Sequence, residues 1–227
     1  MKKSTCFNHL LMTALAGAML FAFIAPAGAF AANVKITEWM YKGEGGEFVE
    51  FTNLGDTAVD FTGWFYNDSH AIDDNPFDLS GFGMVAAGES VILTEDPAML
   101  FRTDWGLDQS VKIIGGLGDG DAGNNIGGSD TINLYNAAGS VVDTLTYEKG
   151  TIAAKGASGN PGSVAALGAD DDSLWVLAHE GDVFGSWASG LGDLGNPGTY
   201  NPVPVPGAFW LMGAGILALS GLKRKED

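Results

Sequence analysis

An all-β sandwich is expected from three features of the amino-acid sequence. Short runs alternate apolar and polar residues, as at 34–39 and 47–52, which is the period of a strand with one buried face. Turn residues punctuate the chain at short intervals, as at Asn53-Leu54-Gly55-Asp56, Ala87-Gly88-Glu89 and Asn136-Ala137-Ala138-Gly139, where small and amide side chains tolerate tight backbone conformations. Glycine supplies 34 of the 227 residues and aromatics 11%, a composition that provides turns and still leaves ring surface for a core.

Residues 1–31 read as a secretory signal peptide. Lys2 and Lys3 form a positive start, residues 10–24 an apolar stretch, and Pro26 ends it. Ala29 and Ala31 place small residues at the positions a signal peptidase reads, so cleavage is expected after Ala31. Cys6, the single cysteine, leaves with that segment, so neither a disulfide nor a cysteine-rich zinc site is available to the mature chain.

Eight or nine strands are expected in the following domain, residues 32–201. They begin with 34–39 and 47–52, the latter placing Val49 and Phe51 on one face and Glu50 and Thr52 on the other. The others fall at 58–61, 63–66, 90–94, 111–114, 131–135, 141–147 and 174–177. One short helix is expected over 96–104, with Asp96 as cap and Pro97 at its first position. Trp64 and Tyr66 share a strand face, so both point inward or both outward.

The last segment, 202–227, has three parts. Val203-Pro204-Val205-Pro206 is followed by an uncharged stretch from Gly207 to Leu222 and then by Lys223, Arg224 and Lys225. Sixteen residues of helix at 1.5 Å each span about 24 Å, marginal for a hydrocarbon core of about 30 Å. The basic triplet would stay cytoplasmic and leave the bulk of the chain outside. With Phe209-Trp210 and Gly213-Ala214-Gly215, this tail resembles the PEP-CTERM sorting signals of Gram-negative bacteria, of the VPLPA type. Val205 stands where that signal usually carries Glu. The resemblance implies recognition by an exosortase-like membrane peptidase, a place in the cell envelope, and a link to exopolysaccharide export.

A second resemblance covers the domain itself. Ile36-Thr37-Glu38-Trp39-Met40-Tyr41, Glu47-Phe48-Val49-Glu50-Phe51-Thr52-Asn53 and Val59-Asp60-Phe61-Thr62-Gly63-Trp64 come in that order. Ala87 to Leu93, Asp130 to Tyr135, Gly139 to Asp143 and Gly195-Asn196-Pro197-Gly198-Thr199-Tyr200-Asn201 follow. The ordered set resembles a bacterial lamin tail domain over roughly 33–201. It implies an immunoglobulin-like β-sandwich without catalytic residues. The glycine-rich stretch 115–129 and the acidic patch 170–172 depart from that pattern.

Charge narrows the partners. The formal net charge is −17, and 32–202 holds 6 of the 11 basic and 26 of the 28 acidic residues, a net of −20. Such a field repels phosphates and concentrates cations, which argues against nucleic acid. Gly118 to Gly123 formally fits G-x-G-x-x-G, yet Asp119 and Asp121 would repel a dinucleotide phosphate. The same loop offers Asp119, Asp121, Asn124 and Asp130 as oxygen ligands of the kind calcium takes. Asp68, Asp73, Asp74 and Asp78 form a second such group and Asp170–Asp172 a third. Solvated acidic loops are the ordinary alternative, so no cofactor is expected and calcium is a secondary reading. His70 and His179 survive signal removal but fix neither a triad nor a zinc site. Glu38, Glu47 and Glu50 on neighbouring strands are candidates for paired-carboxylate hydrolysis. Trp39, Trp64, Tyr66, Trp105, Trp175 and Trp187 serve a core or a sugar-stacking face. The expectation is an exported, membrane-tethered, non-enzymatic protein that uses its sandwich for binding or structure, with exopolysaccharide or neighbouring surface proteins as partners. Its alternatives are a calcium-dependent adhesion or carbohydrate-binding module and a surface hydrolase.

Overall fold

The computed structural model describes residues 33–68, 76–118 and 124–202. Ala29 and Ala31, the sorting residues Val203, Pro204, Val205 and Pro206, the apolar tail with Lys223, Arg224 and Lys225, and His70, Asp73, Asp74, Asp119 and Asp121 lie outside the described residues. Among the described residues no helix is long and apolar enough to cross a membrane.

Two sheets face each other. The larger has six strands: β1 (Val34–Met40), β2 (Phe48–Asn53), β7 (Ser90–Thr94), β8 (Lys112–Gly115), β11 (Gly159–Pro161) and β12 (Trp175–Leu177), in the order β12-β11-β1-β2-β7-β8. The smaller has β4 (Phe65–Asn67), β5 (Phe77–Asp78), β9 (Asp130–Tyr135) and β10 (Val141–Tyr147), in the order β10-β9-β4-β5. Two further pairs join β3 (Val59–Asp60) to β6 (Met84–Val85) and β13 (Trp187–Ala188) to β14 (Leu194–Gly195). Among these strand-to-strand ladders all are antiparallel except β7 with β8. This mostly-β layering is consistent with an immunoglobulin-like sandwich.

The core forms between the sheets. Val34, Ile36, Trp39, Val49, Phe51, Val91 and Leu93 from the six-stranded sheet meet Tyr66, Ile132, Leu134, Leu145 and Tyr147 from the other. Trp39 and Tyr147 stack across the gap with ring centroids 4.0 Å apart. Burying side chains of this size contributes roughly 1.5–3 kcal/mol each. Strict alternation along β1 would put Ile36 and Trp39 on opposite faces. The register slips between Ile36 and Glu38, where Thr37 is the extra residue, and this bulge returns Trp39 to the core. Near the start of β1, where β11 no longer pairs, Asp143 Oδ2 of β10 accepts the Ile36 N–H at 2.8 Å.

A second, smaller core covers the outer face of the six-stranded sheet. Met40, Phe48 and Ile92 pack beneath Phe101 and Trp105 of helix α1 (Ala98–Trp105). Phe101 and Trp105 are four residues apart and so share one helix face. The helix begins one residue later than the expected Asp96–Pro97 start. Pro97 takes the cap position without a side-chain capping bond, because its backbone is extended there (φ −52°, ψ 130°) and its carbonyl accepts the Leu100 and Phe101 N–H groups. Gly106, left-handed at φ 64°, ends it.

Candidate functional site

Glu38 and Glu50 lie directly opposite each other on β1 and β2, on the outer face of the six-stranded sheet. Both are fully buried. What covers them is the chain just after β14. The Asn196 N–H donates to Glu38 Oε1 at 2.7 Å, and the Gly198 N–H donates to Glu50 Oε2 at 2.7 Å. The Ser158 hydroxyl also donates to Glu38 Oε1. Thr37 Oγ1 donates to Glu50 Oε1 at 2.5 Å, and hydroxyl contacts continue from Thr37 to Thr52 and on to Ser90, each at 2.7 Å. The result is a polar row across β1, β2 and β7, sealed by a strap of residues 194–198. Gly195 allows the seal, since a Cβ there would sit 2.7 Å from Glu38 Oε1 and 2.9 Å from Ser158 Oγ.

The two carboxyls do not share one protonation behaviour. Burial raises both. Glu38 is pushed further, well above the usual carboxylate range, because the Glu50 charge adds to its burial and its Oε2 has no hydrogen-bond partner. Thr37, Gly198, Ser90 and Thr52 hold Glu50 down. Both shifts run the same way, so the pair binds a proton more tightly than free glutamates do, with Glu38 the more strongly raised member. As a hydrolytic pair these residues are corrected by their setting: both carry zero exposure, the strap closes over them, and a sugar needs both carboxyls in an open cleft.

Glu47 sits elsewhere, at the end of the sandwich where several strands terminate. It precedes β2, Asp68 follows β4, Asp130 opens β9 and Tyr147 closes β10. Glu47 is 4% exposed and lines an open cavity of about 590 Å³ with Tyr41, Glu44, Glu95, Asp96 and Gly127. The Ile126 N–H donates to its carboxylate, while Oε2 has no partner. Burial first, then the charges of Glu95, Asp130 and Asp68, push its pKa up to about 8. The Tyr66 hydroxyl, fully buried and without a hydrogen-bond partner, faces the same acidic groups. The Tyr147 hydroxyl donates to the Gly127 carbonyl at 2.7 Å.

Other acidic candidates already accept hydrogen bonds from the chain. Asp130 accepts the Gly127 N–H through Oδ2 and its neighbour Thr131 N–H through Oδ1, at 2.7 and 2.9 Å. Asn124 is buried. Asp78 accepts from the Ser80 backbone and hydroxyl. Asp170 accepts the Thr146 N–H, Asp171 the Ser173 N–H and hydroxyl, and Asp172 the Glu148 N–H and Thr151 hydroxyl. Among the described residues no three His, Cys, Asp or Glu side chains stand where they could together hold a metal. The His179 backbone N–H donates to Asp182. Trp39, Trp64, Trp105 and Trp175 are buried, as is Tyr66, and Trp187 packs edge-on to Trp105 at 5.9 Å, so these rings form no exposed stacking strip. Tyr66 was legible as a core or stacking aromatic, but not as a hydroxyl facing the acidic groups around Glu47. Asp193 had no signal in the sequence and read as loop, although it is buried and accepts the Glu44 and Gly45 N–H groups at 3.1 and 3.0 Å.

No curated protein matches this sequence. A family model described as Lamin Tail Domain matches residues 28–149, more than half of the chain. The matched stretch contains β1 through β10 with both facing carboxyls, Glu38 and Glu50. The chain belongs to the lamin tail domain family.

Proposed function

We propose that this protein is exported, held at a membrane by its C-terminal segment, and works without catalysis as a binding or structural module of the Gram-negative cell surface. The observation that carries the reading is the pair of address-like ends. A charged start, an apolar stretch and Ala29-Phe30-Ala31 precede the sandwich, and Val203-Pro204-Val205-Pro206, an uncharged stretch and Lys223-Arg224-Lys225 follow it. The lamin tail domain between them supports a non-enzymatic role. In this reading residues 1–31 are the signal, 32–201 the working domain and 202–227 the sorting signal and anchor. The sorting enzyme is an exosortase-like peptidase, and the partners are exopolysaccharide or other surface proteins. A net charge of −20 over 32–202 favours neutral or cationic partners over nucleic acid. The reading needs no cofactor.

The test is fractionation of Gram-negative cells that make the full chain, with N-terminal sequencing of the product. The expected product begins at Ala32, resists carbonate extraction, and becomes extractable when 203–227 is deleted. A product that keeps residues 1–31 and stays in the cytosol overturns the proposal.

A further inference from the structure

The end of the sandwich around Glu47 has the chemistry of a cation site. Its central carboxyl is almost wholly buried, and one of its oxygens has no hydrogen-bond partner. A buried polar atom without a partner is destabilising, so this position costs stability unless something fills it. The carboxylates around it have the wrong charge to be the missing partner, and Lys42, which also lines the cavity, forms no ion pair with it. Asp68, Asp130 and Glu95 all face Glu47 electrostatically. Neither of the two ion pairs among the described residues, Lys35–Asp143 and Lys112–Glu89, involves Glu47. The Tyr66 hydroxyl adds a second oxygen without a hydrogen-bond partner beside the same acidic groups. The site opens to solvent through the cavity of about 590 Å³, so an ion has a route in.

We propose that this end of the sandwich binds a divalent metal cation of the calcium class, with Glu47 Oε2 as its innermost protein ligand and Asp68 and Asp130 as the charges that draw it in. The donors are all oxygen, and calcium accepts many oxygen ligands in loose geometry. Magnesium keeps its waters and demands a near-ideal octahedron, which one carboxyl oxygen in a wide cavity does not provide. Because the described acidic groups do not form a closed cage, water completes the shell. The affinity belongs with extracellular calcium modules, about 10⁻⁴–10⁻³ M. The proposal stands apart from the surface reading, since a cytosolic chain would carry the same site.

The experiment uses the full chain in mild detergent, stripped with a chelator and titrated with calcium chloride by calorimetry at constant ionic strength. Terbium luminescence excited through tyrosine serves as a second readout. The expected result is saturable calcium uptake in the range just given and terbium emission that calcium displaces. Glu47→Gln keeps the shape and takes away the ionisable oxygen that a bound cation would hold, and is expected to weaken binding at least about tenfold, a loss of about 1.4 kcal/mol. Glu95→Gln at the exposed rim is the second variant and is expected to weaken binding less. It keeps the test decisive if Glu47→Gln does not fold. Asp56→Asn, in the exposed turn after the opposite end of β2 from Glu47, is expected to bind as the parent does. Three results overturn the proposal: no saturable uptake up to about 10 mM, tenfold above the weak end of that range; magnesium matching calcium, which marks a diffuse ion atmosphere; or affinity unchanged in the folded Glu47 and Glu95 variants.

Discussion

Glu38 binds its proton more tightly in the folded protein than at its ordinary value of 4.5. A raised folded-state value means that the native state binds the proton more tightly than the unfolded chain. The stabilisation is complete below about pH 4.5 and is lost as pH rises through the folded value, at about 1.4 kcal/mol per pH unit for one such group. Glu50, also raised, acts in the same direction. Asp60, Asp108 and Asp182 shift downward from the ordinary 3.8, so their contribution is lost only on the acid side of that value. Thermal unfolding followed against pH is expected to peak between about pH 4 and 5 and to fall towards pH 8. Glu38→Gln imitates the protonated acid and is expected to flatten that fall while keeping the fold. A midpoint that climbs from pH 5 to 8, or an unchanged slope in the variant, would contradict this account. Glu38→Ala is different, because it strands the Ser158 hydroxyl and the Asn196 N–H together. Its expected cost is about 2–5 kcal/mol, measured by chemical denaturation at pH 5.

Among elements, the strap over 194–198 depends on close approach. Gly195→Ala places a methyl against Glu38 Oε1, Ser158 Oγ and the Trp105 ring, groups that are themselves locked. We expect a loss of about 1–3 kcal/mol and a changed Trp105 fluorescence, because the strap must lift to relieve the clash. Denaturation of this variant beside the parent checks it, and equal stability would mean that the strap is looser than its hydrogen bonds imply. Much of the element map was legible in the sequence. The runs at 47–52, 90–94, 131–135 and 141–147 became β2, β7, β9 and β10 because alternation and turn residues agree there. Illegible strands had two or three residues or carried glycine or proline. β5, β6, β13 and β14 are too short for a period to show, and β11 is Gly159-Asn160-Pro161. The bulge at Thr37 was hidden for another reason. Only the partner strand reveals which residue is supernumerary, and the apolar spacing of Ile36 and Trp39 was its one trace. The site was legible in part. Glu38, Glu47 and Glu50 could be named, but nothing local says that the strap buries two of them and leaves the third at a cavity.

The whole molecule extends past the stretch that matches the family. The match ends at 149, yet β11 and β12 extend the six-stranded sheet beside β1, and Ile152, Ala166 and Trp175 enter the main core. Residues 33–149 alone would bare the edge of β1 along with the polar row of Glu38 and Glu50. An exposed edge of that kind pairs with other chains. We expect 33–149 to aggregate or to unfold without a cooperative transition, and 33–202 to unfold cooperatively. Calorimetry and size exclusion on the two fragments decide it, and a monomeric, cooperative 33–149 would show that the later strands are dispensable.

The strap also sets how the domain responds to mechanical load. A pull at residue 202 travels back along the chain and first meets Asn201 bonded to the Phe184 carbonyl, then Gly198 on Glu50 and Asn196 on Glu38. Two of these anchors end on carboxyls inside the protein, shielded from competing water. Tension at the tail therefore loads two glutamate side chains of β1 and β2 before it reaches the backbone ladder between those strands.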